Sequence, residues 1–204
     1  MKHKFLSKKY WNSVSTPMAE VVELAHKYEN LINLSLGDPD LITDKSIISK
    51  AFDDAYLGHT KYTDSAGDPE LREEIRLYYE KVYGYQLQMN EVMAVVGACH
   101  GMYLLLQAIL DDGDEVIVPE PYFTPYDNQI KLAGGKIVPL VTHEEDDFQI
   151  DIEKLKSIIT NRTKAIIINT PNNPTGTCLS KDTMEALSTI AIENDLIIIA
   201  DDIY

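Results

Sequence analysis

The sequence has little that could cross-link a chain or hold a metal ion. Its 204 residues include only two cysteines, Cys99 and Cys178. Neither cysteine belongs to a Cys-x-x-Cys pair or lies beside a cluster of candidate ligands, which argues against a disulfide scaffold and against a zinc site. The sequence therefore predicts a protein of a reducing compartment, with no metal site.

Basic residues and long apolar runs are also scarce. Lysine and arginine number 18 against 33 acidic residues, so the net charge is −15 at pH 7. This excess of negative charge argues against nucleic acid or an anionic membrane as a partner. No run approaches the roughly 20 apolar residues of a membrane span, and no apolar segment follows the basic N-terminus as in a signal peptide. These absences indicate a cytoplasmic protein.

Apolar residues make up 45% of the sequence, which is enough for a sizeable core, and from residue 91 they follow a regular rhythm. Short apolar runs alternate with amphipathic segments, which predicts an α/β fold with a mostly parallel sheet and helices on both faces. The predicted strands are 92–96, 115–118, 136–141, 164–169 and 196–200, and the predicted helices are 98–110, 123–133, 152–160 and 181–194. The last strand is rich in β-branched residues, which predicts burial on both of its faces.

The first 90 residues contain fewer regular patterns. A polar arm reaches to about residue 15, and Thr16-Pro17 is typical of a helix start. Residues 31–36 form a short strand-like run. A further helix is predicted before Gly58. Another is predicted to begin at Asp68-Pro69 and to end at Gly84, because an N-cap followed by proline often starts a helix and glycine often ends one.

Polar or aromatic groups directly follow several predicted strands. Gly97-Ala98-Cys99 is a small-residue turn into a helix, which could hold a phosphate or be a plain tight turn. An aromatic residue of the Pro119–Tyr126 segment could stack on a planar ligand or pack between helix and sheet. The Asn169–Gly176 stretch could present asparagines to a ligand or form an ordinary proline turn. Because Asp201 also follows a strand, the combination suits a flat, phosphorylated aromatic ligand at the carboxyl edge of the sheet.

The whole ordered set of motifs resembles the class I/II pyridoxal-phosphate-dependent aminotransferases, which have the fold-type I architecture of aspartate aminotransferase. The set consists of Ser35-Leu36-Gly37-Asp38-Pro39-Asp40, Tyr62-Thr63 with Gly67 and Leu71-Arg72-Glu73, Gly97-Ala98-Cys99, Gly113-Asp114-Glu115-Val116 with Pro119-Glu120-Pro121, Asn172-Asn173-Pro174-Thr175-Gly176, and Asp201-Asp202-Ile203-Tyr204. The resemblance implies pyridoxal 5′-phosphate as the cofactor. It also implies amino-group transfer between an amino acid and a 2-oxo acid, in a homodimer with shared active sites.

The resemblance assigns four residues to the cofactor ring. Asp201 would pair with the protonated pyridine nitrogen and keep the ring electron-poor. Tyr204 and Asn173 would hydrogen-bond the phenolic oxygen of the ring, and Phe123 would stack on it.

Four further assignments concern the phosphate, the substrate and the second subunit. Ala98 and Cys99 would donate backbone amides to the phosphate; relatives often carry hydroxyl side chains at positions 97 and 99, where this chain has Gly97 and Cys99. Tyr62 would reach the phosphate of the neighbouring subunit. The backbone of Gly37 would lie by the substrate carboxylate.

The resemblance also implies that part of the family's pattern is absent. The Schiff-base lysine of the family lies some tens of residues after the Asp-x-x-Tyr motif, and neither Lys164 nor Lys181 has the matching context. We therefore expect an N-terminal part of an aminotransferase, inactive by itself. Residues 1–45 would form an arm and an N-terminal segment of the small domain, and residues 46–204 would form the cofactor-binding large domain, incomplete at its C-terminal side.

Two other functions are compatible with the same motifs. Fold-type I β-lyases, ACC synthase-like enzymes and decarboxylases share most of the ring-binding residues, and much of their specificity lies in regions outside these motifs. A cofactor-binding or interaction fragment without catalysis is the non-enzymatic alternative.

Overall fold

The computed structural model describes residues 3–11, 21, 24–28, 30–32, 37 and 40–204. The chain divides into two units, Met1–Thr63 and Asp64–Tyr204. The predicted division into residues 1–45 and 46–204 stays a prediction. Most of the helix expected from Thr16-Pro17 and most of the strand-like run 31–36 lie outside the described residues.

In the described part of the first unit, helix α1 spans Lys45–Tyr56. Asp44 caps it, because the Asp44 carboxylate accepts a hydrogen bond from the Ser46 amide at 2.8 Å. A short 3₁₀ turn, Lys8–Tyr10, precedes it in the chain. The helix before Gly58 that the sequence predicts is therefore present.

The second unit begins with α2, Pro69–Tyr83, and its boundaries follow from three residues. The Asp68 side chain accepts from the amides of Glu70 and Leu71, and Pro69 occupies the first helical position. Gly84 ends the helix in the left-handed conformation, with φ +67°. This confirms the helix predicted between Asp68 and Gly84.

The remaining elements alternate as the sequence predicts. In chain order they are α3 (Ala98–Ile109), β1 (Glu115–Glu120), α4 (Pro125–Leu132), β2 (Lys136–Val141), α5 (Ile152–Ile158), β3 (Thr163–Asn169), α6 (Lys181–Glu193) and β4 (Ile197–Asp201). Two 3₁₀ turns, Met89–Glu91 and Glu144–Asp146, interrupt the connections. The strands form one parallel sheet in the order β2-β1-β3-β4. This confirms an α/β fold with a parallel sheet.

The core has two layers, one on each face of the sheet. Val116 and Val118 of β1 pack with α3 and α4 on one face, whereas Ile117 packs with α5 and α6 on the other. The alternation follows from strand geometry, since successive side chains point to opposite faces. Helices on both faces explain why the middle residues of the central strands β1 and β3 are apolar.

The strand predicted at 92–96 is wrong. Val92 is extended, with φ −121° and ψ 126°, but no strand pairs with this segment in the described part of the chain. Its backbone is bound elsewhere: Arg72 Nε donates to Val92 O at 2.9 Å, and Ala94 N donates to Ala66 O at 2.9 Å. An apolar extended run becomes a strand only when a neighbour pairs with its backbone.

The prediction that the last strand is buried on both faces is also wrong. Among the residues that the structure describes, β4 pairs with β3 alone and so forms an edge of the sheet. Ile199 is buried, but Ile197 and Ile198 are 41% and 36% exposed. The β-branched composition predicted a strand correctly, yet burial depends on how many neighbours cover it.

Candidate functional site

The carboxyl ends of β3 and β4 lie side by side, and each ends in a polar residue. Asn169 of β3 is in register with Asp201 of β4. The Asn169 side chain donates from Nδ2 to the backbone oxygen of Asp201 at 2.7 Å. This hydrogen bond joins the carboxyl end of β4 to the carboxyl end of β3.

The side chain of Asp201 is bound from the neighbouring helix. Tyr126, in the first turn of α4, donates its phenolic hydrogen to Asp201 Oδ2 at 2.5 Å. Tyr126 is only 2% exposed. Burial, and then the hydrogen bond to Asp201, raise the pKa of the Tyr126 phenol far above its ordinary value. The phenol therefore remains a donor across the physiological pH range.

The loop after β3 presents a second tyrosine contact. Asn173 N donates to Asn169 Oδ1 at 2.7 Å, so the Asn169 side chain holds this loop as well as β4. Asn173 Nδ2 donates to the Tyr204 phenolic oxygen at 2.9 Å. Because Tyr204 accepts in this bond, its own phenolic hydrogen is left to donate to another group.

The turn into α3 has the features of an anion site. Gly97 precedes the helix with φ +81°, a conformation that suits glycine, and no side chain caps the helix. The first amides of a helix have no partner within it, and the helix dipole is positive at this end. Gln129 of α4 donates from Nε2 to Cys99 O at 2.9 Å and so fixes the first turn.

These groups line one cavity of about 300 Å³. The lining residues are Gly97, Ala98, Cys99, Met102, Phe123, Tyr126, Gln129, Asn169, Asn173, Asp201, Ile203 and Tyr204. The six residues that the sequence analysis assigned to a cofactor within this unit, namely Ala98, Cys99, Phe123, Asn173, Asp201 and Tyr204, are all among them. Their individual roles stay predictions, because a cavity wall does not identify what each group contacts.

Gly37 and Tyr62 belong to the first unit. Tyr62 is fully exposed there. Their predicted roles, at the substrate carboxylate and at the neighbouring subunit's phosphate, stay predictions.

Two polar residues of the cavity wall, Tyr126 and Gln129, received no role in the sequence analysis. Tyr126 follows Phe123 by three residues, and the two rings meet edge to face with centroids 5.6 Å apart. Asn169 belongs to the Asn169–Gly176 stretch that the sequence analysis considered for ligand contacts, but no individual role was assigned to it. The signal that could have found Tyr126 and Gln129 is their spacing of three, which places them on one face of a helix.

The donor set suits a flat ligand that carries a phosphate. The uncapped start of α3 offers backbone amides to an anion. Asp201 offers a carboxylate to a cationic group, and Phe123 offers a ring face or edge. Within the described residues no group of three or more His, Cys, Asp or Glu side chains could hold a metal ion. Among those residues, too, no helix is long and apolar enough to cross a membrane.

The sequence pattern of the family described as aminotransferase class I and II matches residues 29–204. The chain belongs to this family. The aspartate aminotransferase of Bacillus sp. (strain YM-2) is 40% identical over 186 residues, which cover 91% of this chain and 47% of the relative. The asparagine–oxo-acid transaminase of Streptococcus mutans is 39% identical over 176 residues, covering 86% of this chain and 45% of the relative.

Solved structures of the aminotransferase family share the fold. Aspartate aminotransferase from Thermus thermophilus with maleate superposes on this chain with a TM-score of 0.91 at 36% identity, covering 100% of this chain and 54% of that one. The chain thus spans about half the length of the relatives that it matches.

Proposed function

We propose that the protein containing this chain is a pyridoxal-phosphate-dependent aminotransferase, which moves an amino group between an amino acid and a 2-oxo acid. The observation that carries the proposal is the convergence of a tethered carboxylate, an uncapped helix start and an aromatic ring on one cavity. The family membership of the chain supports the same conclusion.

The cofactor, when bound, supplies an electron-poor ring that takes up the electron pair released as the substrate Cα–H bond breaks. Asp201 would hold the proton on the pyridine nitrogen, and Tyr126 would keep the carboxylate aimed at it. The Tyr204 phenol, oriented by Asn173 Nδ2 at 2.9 Å, would donate to the phenolic oxygen of the ring. Phe123 would cover the ring and exclude water from one side.

The start of α3 would bind the phosphate. The amides of Ala98 and Cys99 lie in the first turn, where the helix dipole favours an anion. This chain has no hydroxyl at position 97 or 99, so the binding energy at these two positions would come from backbone donors.

We further propose aspartate as an amino donor, and a cytoplasmic homodimer in which Tyr62 reaches the partner's site. The proposal of aspartate rests on the names of the similar enzymes from Bacillus sp. and Thermus thermophilus. In the protein as its gene encodes it, aspartate should support oxo-acid-dependent amino transfer. Release of ammonia or pyruvate without an oxo acid would instead favour a lyase.

The role of Asp201 is tested with its neighbour as a control. Asp201→Asn removes the charge that would pair with the pyridinium, so we expect cofactor affinity to fall by at least tenfold, since a charged hydrogen bond contributes about 1.5–3 kcal/mol. Asp202→Asn removes an equal charge from an exposed position. Equal affinities of the two variants, measured by equilibrium dialysis with pyridoxal 5′-phosphate, would contradict the assignment.

We also propose that the 204 residues by themselves do not transfer amino groups. No lysine is among the described residues that line the cavity, so no amine there is placed to bond the cofactor covalently. Borohydride reduction of the chain with cofactor should label no single lysine preferentially. A label mapped to one lysine in high yield would overturn the proposal that these residues are inactive by themselves. An in-frame continuation of the gene with a Ser/Thr-x-x-Lys-like segment would support the proposal.

A further inference from the structure

Helix α4 carries two buried polar side chains, one helical turn apart. Tyr126 is 2% exposed and Gln129 is 9% exposed. Both line the cavity, and each makes its hydrogen bond to a different part of the cavity wall. Burial of polar groups is unfavourable unless they are hydrogen-bonded, so the hydrogen bonds of this pair are what explain its position on the core face of α4.

Tyr126 connects α4 to the end of β4. Its phenol donates to Asp201 Oδ2 at 2.5 Å across 75 positions of sequence. Burial raises the pKa of this phenol, which keeps it a hydrogen-bond donor at physiological pH. The bond thus selects one orientation of the carboxylate and keeps it.

Gln129 connects α4 to the start of α3. Its Nε2 donates to Cys99 O at 2.9 Å, 30 positions earlier in the chain. Its Oε1 is buried and accepts no hydrogen bond from the described residues. A leucine or methionine would fill the same space without an orphaned acceptor. The amide is therefore better explained by its bond to the Cys99 turn than by packing.

We propose that α4 is a positioning element of the cofactor site, in which Tyr126 orients the Asp201 carboxylate and Gln129 orients the phosphate-binding turn. Because both side chains leave the same short helix, the helix sets the geometry of one group relative to the other. The inference deepens the proposed function and rests on pyridoxal 5′-phosphate as the ligand. Neither residue is assigned a chemical step.

Tyr126→Phe tests the first contact, with Tyr122→Phe as the matched control. Tyr122 is a partly buried tyrosine of the same segment, packed against the same core, and it does not line the cofactor cavity. In Tyr126→Phe we expect the ¹⁵N resonance of pyridine-labelled cofactor to move towards the unprotonated value and the affinity to fall three- to tenfold. The ³¹P resonance should not move. Tyr122→Phe should leave all three at the wild-type values.

Gln129→Met tests the second contact and should give the opposite pattern. The ³¹P resonance should move and the affinity for pyridoxal 5′-phosphate should fall about threefold, while the ¹⁵N resonance stays in place. The affinity for pyridoxal, which has no phosphate, should not change. A purely structural role for either residue would shift both resonances together or neither, and that result would overturn the proposal.

A cofactor-free measurement separates this inference from the proposed function. The carboxyl ¹³C resonance of Asp201 should move in Tyr126→Phe and stay unchanged in Tyr122→Phe without any cofactor. If it does so while the wild-type chain binds no pyridoxal 5′-phosphate, the proposed cofactor fails and the positioning contact stands. If the wild-type chain binds the cofactor but Tyr126→Phe behaves like Tyr122→Phe, only the positioning role is overturned.

Discussion

At the scale of single residues, the Tyr126 phenol links the site to the stability of the fold. Burial and the bond to Asp201 raise the pKa of Tyr126 in the folded chain, whereas an unfolded tyrosine has a pKa of about 10. A raised native pKa means that the tyrosine keeps its proton to a higher pH in the folded state than in the unfolded state. The corresponding stability is complete below pH 10 and is lost as the pH rises above it.

Tyr126→Phe should therefore make the chain less sensitive to alkali. Above about pH 10, the ionisation of Tyr126 in the unfolded state lowers the free energy of unfolding of the wild type by about 1.4 kcal/mol per pH unit, and the variant lacks this contribution. At pH 7 the variant should be less stable by about 1–3 kcal/mol, because it lacks the hydrogen bond to a charged group. Urea unfolding between pH 8 and 11 measures both effects. Parallel pH profiles of the two proteins would contradict the account.

At the scale of elements, the buried carboxylate of Glu115 holds the amino end of β1. This end of the strand is opposite to the carboxyl end, where the cavity lies. Glu115 is 9% exposed and accepts from Thr160 Oγ1 at 2.6 Å. Lys136 of β2 approaches its other oxygen at 3.4 Å. The Thr160 bond lowers the pKa of Glu115, burial opposes this, and Lys136 lowers the pKa further. Glu115 thus joins β1 to β2 and to the turn before β3.

Glu115→Gln should reduce the sensitivity of the chain to acid. A lowered native pKa contributes stability that is present above the ordinary carboxyl pKa and is lost as the pH falls through the native value. We expect the free energy of unfolding of the wild type to exceed that of the variant by about 1 kcal/mol at pH 7, and the gap to shrink as the pH falls below the ordinary carboxyl pKa. Urea unfolding of both proteins at pH values from 7 down to about 3 measures this difference in stability. Glu145→Gln, at an exposed acid, is the control and should follow the wild type.

At the scale of the whole molecule, the described residues expose many large apolar side chains. On β4 these include Ile197 and Ile198, and in the first unit Ile47 and Phe52 are each at least 60% exposed. Large exposed apolar surface usually marks an interface or an aggregation site. An edge strand with apolar side chains is also open to pairing with another chain.

We therefore expect the isolated 204-residue chain to self-associate. Sedimentation velocity should show a weight-average mass that rises with concentration in the micromolar range. Ile197→Lys should reduce this association, because a charge on an edge strand opposes strand addition. A concentration-independent monomer with one cooperative calorimetric transition would contradict the expectation.

Much of the fold was accessible from local patterns. The boundaries of α2 followed from Asp68, Pro69 and Gly84, because capping and left-handed glycine are decided within a few residues. β1 to β4 followed from their apolar runs, and their parallel pairing from the helices between them. The 92–96 segment has the same apolar character and is not a strand. Its backbone hydrogen-bonds to Arg72 and Ala66 instead of to a strand, and no local sequence pattern predicts these partners.

The sequence by itself determined the α/β rhythm and the identity of the polar groups that follow the strands, because each depends on residues close together in the chain. The order of the motifs along the chain indicated the family. Only the tertiary structure decided that β4 is an edge strand, and that Tyr126 and Gln129 of α4 bind Asp201 and Cys99. Those contacts span 75 and 30 positions, and packing of α3 and α4 on one face of the sheet brings the partners within hydrogen-bonding distance. Asp201 is thus more than the acid at the end of a strand, because Tyr126 of α4 orients its carboxylate. No periodic pattern in the sequence indicated this role of Tyr126.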